Sequence, residues 1–275
     1  MKSALLLACM AVPLASAQDF AVQKYGDILV FDGAITPAAY EAINATIDDG
    51  VDLMLVRSIG GDAASGLAIG KKLRDRNITV VVNEYCLSAC ANYIFIGPSR
   101  KSLNPGAVLG FHGGLTGSPA PTMAAEDYPL VSQEDLITLR KQMARLYDEE
   151  TAFYARIGFD PALLRKSFDL TRLDATNQYI ALTAGESTTF YSFAQADEAR
   201  RRIAALAAEH ASYTYRVENS RTSATRFYFP SLATLRNAGV TGVQNYPYPA
   251  DVRQLRTVEQ DVGRDLPGLN LASDI

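Results

Sequence analysis

Between Ile28 and His112 the chain alternates short apolar runs with helix-like segments, and each run stops at turn residues. Ile28-Leu29-Val30-Phe31, Leu53-Met54-Leu55-Val56, Thr79-Val80-Val81-Val82 and Ala107-Val108-Leu109-Gly110-Phe111 have the length and branching of buried strands. Between them, Thr36-Pro37 reads as a helix start, with the proline pre-set for the first turn. A second helix is predicted from Asp62 through Leu73, where Asp62 favours the positive helix end. Strand and helix in alternation predict an α/β fold with a mainly parallel sheet and right-handed crossovers. In such a sheet the loops at one end of the strands gather in space. Here those loops carry Ser58-Ile59-Gly60-Gly61-Asp62, Cys86-Leu87-Ser88-Ala89-Cys90 and Gly110-Phe111-His112-Gly113-Gly114.

Ser88 falls where the strand ending near Val82 turns into a short apolar helix, Ala89 to Ile96. A serine there is either a plain helix cap or a nucleophile beside free backbone N–H groups. The chain has two histidines. His210 looks like the polar end of a surface helix, whereas His112 closes an apolar strand. A serine hydroxyl is a weak nucleophile until a neighbouring base takes its proton. A strand-end histidine beside a loop serine meets that need. Gly60 and Gly61 lack the Cβ that would keep a carbonyl from their N–H groups, which suits an oxyanion hole.

A glycine pair after a strand, a serine opening a short apolar helix, and a histidine 24 residues later at a strand end together resemble the Clp protease and crotonase superfamily. The nearest branch is its exported, Clp-protease-like bacterial members. The resemblance covers about residues 27 to 190. It implies a ββα spiral with Ser88 as nucleophile, His112 as general base and acid, and the N–H groups of Gly60 and Ala89 as oxyanion donors. Ile59 departs from it, since the family usually has proline there. The family's third catalytic residue lies just before a strand that leads to a Ser/Thr-Ala/Pro-x-Glu segment, here Thr183-Ala184-Gly185-Glu186. That leaves Asn177 as the positional match, Asp174 as the nearest carboxylate and Asp169 as an outlying alternative.

Lys2, the apolar stretch Ala4 to Val12 and Ala15-Ser16-Ala17 have the three parts of a secretory signal, with cleavage predicted after Ala17. The expected domains are therefore 1-17 as signal peptide, 18-211 as a domain resembling the Clp and crotonase fold, and 212-275 as a C-terminal extension rich in Tyr and Phe. The mature protein is expected to be periplasmic or secreted, with no membrane span. Export leaves Cys86 and Cys90 on either side of Ser88, either bridged or as two buried thiols. A net charge of −4 without basic blocks argues against nucleic acid as a partner. No P-loop, cofactor motif or metal-ligand spacing is evident.

Ser132 to Asp135 resembles a capping box, and Leu136, Leu139, Met143, Leu146, Phe153 and Ile157 recur at helical spacing. In the family a helix at this place serves oligomer contacts, which makes a homo-oligomer through residues 132-157 an expectation. The leading functional expectation is an ATP-independent serine peptidase acting on peptides or unfolded protein. An esterase using the same site and a catalytically weak peptide-binding module are its rivals. Acyl-CoA chemistry fits poorly, because coenzyme A is cytoplasmic and crotonases lack a Ser-His pair.

Overall fold

The computed structural model describes residues 20–117, 132–171, 178–185, 187–192, 195–219 and 226–275. Residues 1-17, expected to be a signal segment, lie outside them. The chain forms two compact units, and each is taken by itself.

The larger unit is a mixed α/β structure around a six-stranded sheet, as the strand and helix alternation predicts. Its elements begin with β1 (Phe20–Tyr25), β2 (Ile28–Ile35), α1 (Pro37–Thr46), β3 (Leu53–Gly61), α2 (Ala63–Asp75) and β4 (Thr79–Leu87). A π-helix, Cys90–Phe95, follows, then β5 (Lys101–Leu103) and β6 (Val108–Gly110). The strand order is β1-β2-β3-β4-β5, with β6 also on β4. Only β1 is antiparallel; the other pairings are parallel. Strand β1 escaped the sequence reading because its polar, exposed Gln23, Lys24 and Tyr25 give no apolar run.

Local chemistry sets the helix starts. Thr36 accepts the Ala39 N–H at 3.0 Å and Asp62 accepts the Ser65 N–H at 2.8 Å, each satisfying a donor the helix cannot. The sheet core is made by Leu29, Phe31, Met54, Val56, Val80 and Val82, all fully buried. Each such side chain contributes about 1.5–3 kcal/mol relative to an exposed one. Both the β2–β3 and β3–β4 ladders shift register at the level of Arg57. Arg57 grips Asp32 of β2 with two hydrogen bonds, 2.9 and 2.6 Å, and also reaches Glu84 of β4 and Asp265. This planar fork holds three strands level just before the loops that carry the site.

The long helix α3 (Gln133–Ile157) and α4 (Ala162–Thr171) come next. Ser132 caps α3 through the Asp135 N–H at 3.1 Å. Residues of α3 up to Arg145 belong to the smaller unit and those from Leu146 to the larger. The smaller unit also holds β7 (Gln178–Ala184), β8 (Ser187–Ser192), α5 (Ala196–Ala208) and β9 (Tyr213–Asn219). Its strands form an antiparallel sheet in the order β8-β7-β9, and Ile180, Leu182, Tyr191, Ala199 and Leu206 make its core.

The remainder, β10 (Arg226–Phe229), α6 (Leu232–Asn237), α7 (Val252–Val262) and β11 (Asn270–Ser273), belongs to the larger unit. Residues 213–219 thus group with the smaller unit and residues 226–275 with the larger. Strand β9 completes the small sheet, while Phe227, Tyr228, Phe229, Leu235 and Leu271 join the main core. Among the described residues no helix is long and apolar enough to cross a membrane.

Candidate active site

Strand β4 ends at Leu87, and the next residue, Ser88, has φ +55°. That left-handed conformation costs a side-chain-bearing residue about 1–2 kcal/mol. Several contacts hold it. The Ser88 N–H donates to the Gly110 carbonyl at 2.9 Å, and the Ser88 carbonyl accepts the Asn92 N–H at 2.9 Å. Cys86 and Cys90 are joined by a disulfide with Cα atoms 5.2 Å apart, so a covalent ring closes around the serine. The helix that follows is π-type, a form that recurs at functional sites.

His112 comes from the end of β6. Its Nε2 lies 2.6 Å from the Ser88 Oγ. With the proton on Nδ1, Nε2 is the acceptor of the serine hydroxyl. The strand is fixed from its other side by β10: the Phe111 N–H donates to the Tyr228 carbonyl at 2.9 Å, and the Tyr228 N–H donates back at 2.6 Å. Phe227 of β10 sets its ring edge-on to the imidazole, with centroids 5.3 Å apart. His112 is exposed by solvent-accessible surface, yet protein crowds most of the ring. We read this as an imidazole with one open edge, and the crowding pushes its pKa below the ordinary histidine value.

The glycine pair divides its work. Gly60 has φ +87°, and a Cβ there would sit 2.6 Å from the Ser88 Cβ and 2.9 Å from the Ala89 nitrogen. Gly60 therefore lies directly against the serine turn. A Cβ on Gly61 would instead meet the Ile35 carbonyl at 2.2 Å, so Gly61 serves the close approach to β2. The Gly60 N–H donates to the buried Ser58 Oγ at 3.1 Å. An oxyanion must displace that neutral hydroxyl to claim the donor. The Ala89 N–H has no protein acceptor among the described residues.

Other candidates resolve differently. Asp62 caps α2 and does not touch Ser88 or His112 through any hydrogen bond among the described residues. Asp169 is exposed on α4. Asn177 and Asp174 lie outside the described residues. Among the described residues no side chain is hydrogen-bonded to the His112 Nδ1. His210 sits at the end of α5 with φ +53°, as a helix-terminating residue. No cluster of three or more His, Cys, Asp or Glu able to hold a metal occurs among the described residues.

The sequence reading missed Phe227 and Tyr228 as parts of the site, and placed Ser58 in the glycine-pair loop without giving it a role. Phe227-Tyr228-Phe229 is legible as an apolar run, but nothing local says which strand it joins.

No family model and no curated protein matches the chain. Solved structures similar to it include an enoyl-CoA isomerase of Mycobacterium tuberculosis, at 15% identity and a TM-score of 0.29, covering 43% of this chain and 66% of that one. An enoyl-CoA hydratase from Mycobacterium marinum has 13% identity and a TM-score of 0.29, with the same coverage of each chain. The match thus spans less than two thirds of either enzyme, and a likeness this slight has no bearing on activity.

Proposed function

We propose that this protein is a serine hydrolase that cleaves peptide bonds through an acyl-enzyme on Ser88. The observation that carries this reading is the 2.6 Å contact between the Ser88 Oγ and the His112 Nε2, made from a serine held in a left-handed turn. Ser88 Oγ attacks the substrate carbonyl as its proton passes to His112 Nε2. The resulting oxyanion is met by the N–H groups of Gly60 and Ala89, whose backbones flank the serine. His112 then gives its proton to the leaving amine, and the C–N bond breaks. Water, deprotonated by the same ring, hydrolyses the ester and returns the serine. Ester substrates would pass through the same intermediate.

Labelling of the protein by a fluorophosphonate probe tests this. Ser88 should be the modified residue, and Ser88→Ala should take up none. The rate should also report the state of His112. Only the neutral ring accepts a proton, and burial lowers its pKa, so the rate should be flat at neutral pH and fall only below the unperturbed value of about 6.5. The same ring contributes to folding. The folded state binds its proton less readily than the unfolded state, so that contribution is whole above about pH 6.5 and is lost as pH falls toward the folded pKa. A limb clearly above 6.5 would point instead to a carboxylate partner such as Asp174, whereas the neutral Asn177 would leave it low. Absence of any label sinks the hydrolase reading and favours a peptide-binding module.

Export completes the proposal: residues 1-17 direct the chain out of the cytoplasm and are removed, and the oxidising compartment closes the Cys86–Cys90 bridge. The unreduced mature protein should then have the mass of residues 18-275 less two hydrogens. A mass equal to the free-thiol form, or retention of residues 1-17, contradicts it. A homo-oligomer through α3, where Ile137 and Tyr147 are exposed, is part of the same reading and would show in sedimentation.

A further inference from the structure

Two glycines, Gly113 and Gly114, follow His112 directly, and glycine holds a backbone less firmly than any other residue. A base that must stay within hydrogen-bond reach of Ser88 needs its loop tied down from outside. The ties run to a buried carboxylate. Glu150 of α3 is fully buried, within a run of acidic residues whose neighbour Glu149 lies at the surface beside Lys71. Burying a carboxylate is costly unless donors surround it. Glu150 has three. Its Oε1 accepts from the Tyr93 hydroxyl at 2.7 Å and the Tyr154 hydroxyl at 3.1 Å, and its Oε2 accepts the Thr116 N–H at 2.7 Å.

These donors come from informative places. Tyr93 lies on the π-helix that Ser88 opens, and Thr116 on the loop that leaves His112. Burial first, and the Glu150 charge after it, pushes the Tyr93 hydroxyl well above the ordinary phenol range, so it stays a donor. Burial, then Tyr93 and Glu150, does the same to Tyr154. Asn92, one residue before Tyr93, adds a parallel tie through its Nδ2 to the Gly113 carbonyl at 2.8 Å. The loop lies flat on this network: a Cβ on Gly114 would come within 2.7 Å of Leu164, 3.3 Å of Asn92 and 3.5 Å of Glu150.

We propose that Glu150 is a positioning residue that fixes the His112 loop against the Ser88 helix, and so sets the distance across which the proton moves. The proposal rests on Ser88 and His112 being the reacting pair. Glu150→Gln keeps size and burial but turns one oxygen into an NH2 that faces a donor. In the folded, bridged variant the maximal rate of labelling by the fluorophosphonate probe should fall by on the order of 10²-fold, as displacement of a reacting group by about 1 Å does. The half-saturating probe concentration should not change, since no group contacting the probe is altered. The ring resonances of the two histidines, followed by NMR, give a readout independent of activity: His112 should shift and His210 should not. Wild-type labelling together with an unmoved His112 signal in Glu150→Gln overturns the proposal. If the wild-type protein itself takes no label, the hydrolase reading fails, while the His112 signal still decides whether Glu150 holds that loop. Should Glu150→Gln not fold, Tyr93→Phe, which removes one hydroxyl, is judged by the same two readouts and should show a smaller loss in the same direction.

Discussion

Replacing His112 with alanine is expected to lower kcat/KM on a peptide substrate by on the order of 10⁴-fold, because no described side chain stands ready to take the Ser88 proton in its place. The loss should fall on kcat, with KM little changed, since the imidazole contributes to the transition state more than to substrate binding. The fold should survive. His112 is exposed at one edge, and the backbone bonds between Phe111 and Tyr228 do not involve the ring. Combining His112→Ala with Ser88→Ala should cost no more than either alone, because a nucleophile without its base is already inert. Steady-state kinetics on the three variants checks this. Losses that add would show that the two residues act apart.

The second large effect is expected from one methyl group. Gly60→Ala places a Cβ 2.5 Å from the Leu87 carbonyl and 2.6 Å from the Ser88 Cβ, at a backbone φ of +87° that alanine resists. The atoms that must yield are those of the Ser88 turn, which the disulfide prevents from swinging away. Activity should drop by on the order of 10²- to 10³-fold, the cost of losing one oxyanion donor. Gly106→Ala is the control. It has a similar φ of +79°, but nothing lies within 4 Å of its Cβ. That variant should lose only about 1–2 kcal/mol of stability and none of its activity. Equal activity in both variants would show that backbone strain, not access to the serine, explains Gly60. Kinetics and thermal unfolding of the pair make the comparison.

Much of this site was legible because its parts lie at strand ends. The runs before Ser58, Ser88 and His112 are apolar and short, which gave β3, β4 and β6, and parallel topology then gathers their loops. Asp62 and Thr36 were readable as helix starts because the chemistry that begins a helix acts within three residues. What local pattern could not give is pairing at long range. Strand β10 lies far along the chain from His112, and nothing local in an aromatic run says that it will pair with β11 and bridge to Phe111 through Tyr228. Glu150 was invisible for a different reason. Within Asp148-Glu149-Glu150 it reads as one more solvated charge, and only the arrival of Tyr93 and Thr116 makes it a buried acceptor. The division of the last third of the chain escapes local reading for the first reason: β9 and β10 are close in sequence but belong to different sheets.

The left-handed backbone at Ser88 bears on how this chain can change. If folding stability alone chose the residue, position 88 would be glycine, which adopts a φ of +55° without penalty and would relieve the turn. The chain keeps a hydroxyl there at a cost to its own stability, of the kind that accumulates where chemistry and folding make opposite demands. Directed evolution for thermal tolerance, run without a screen for activity, would be drawn first to the residue that the proposed activity can least spare.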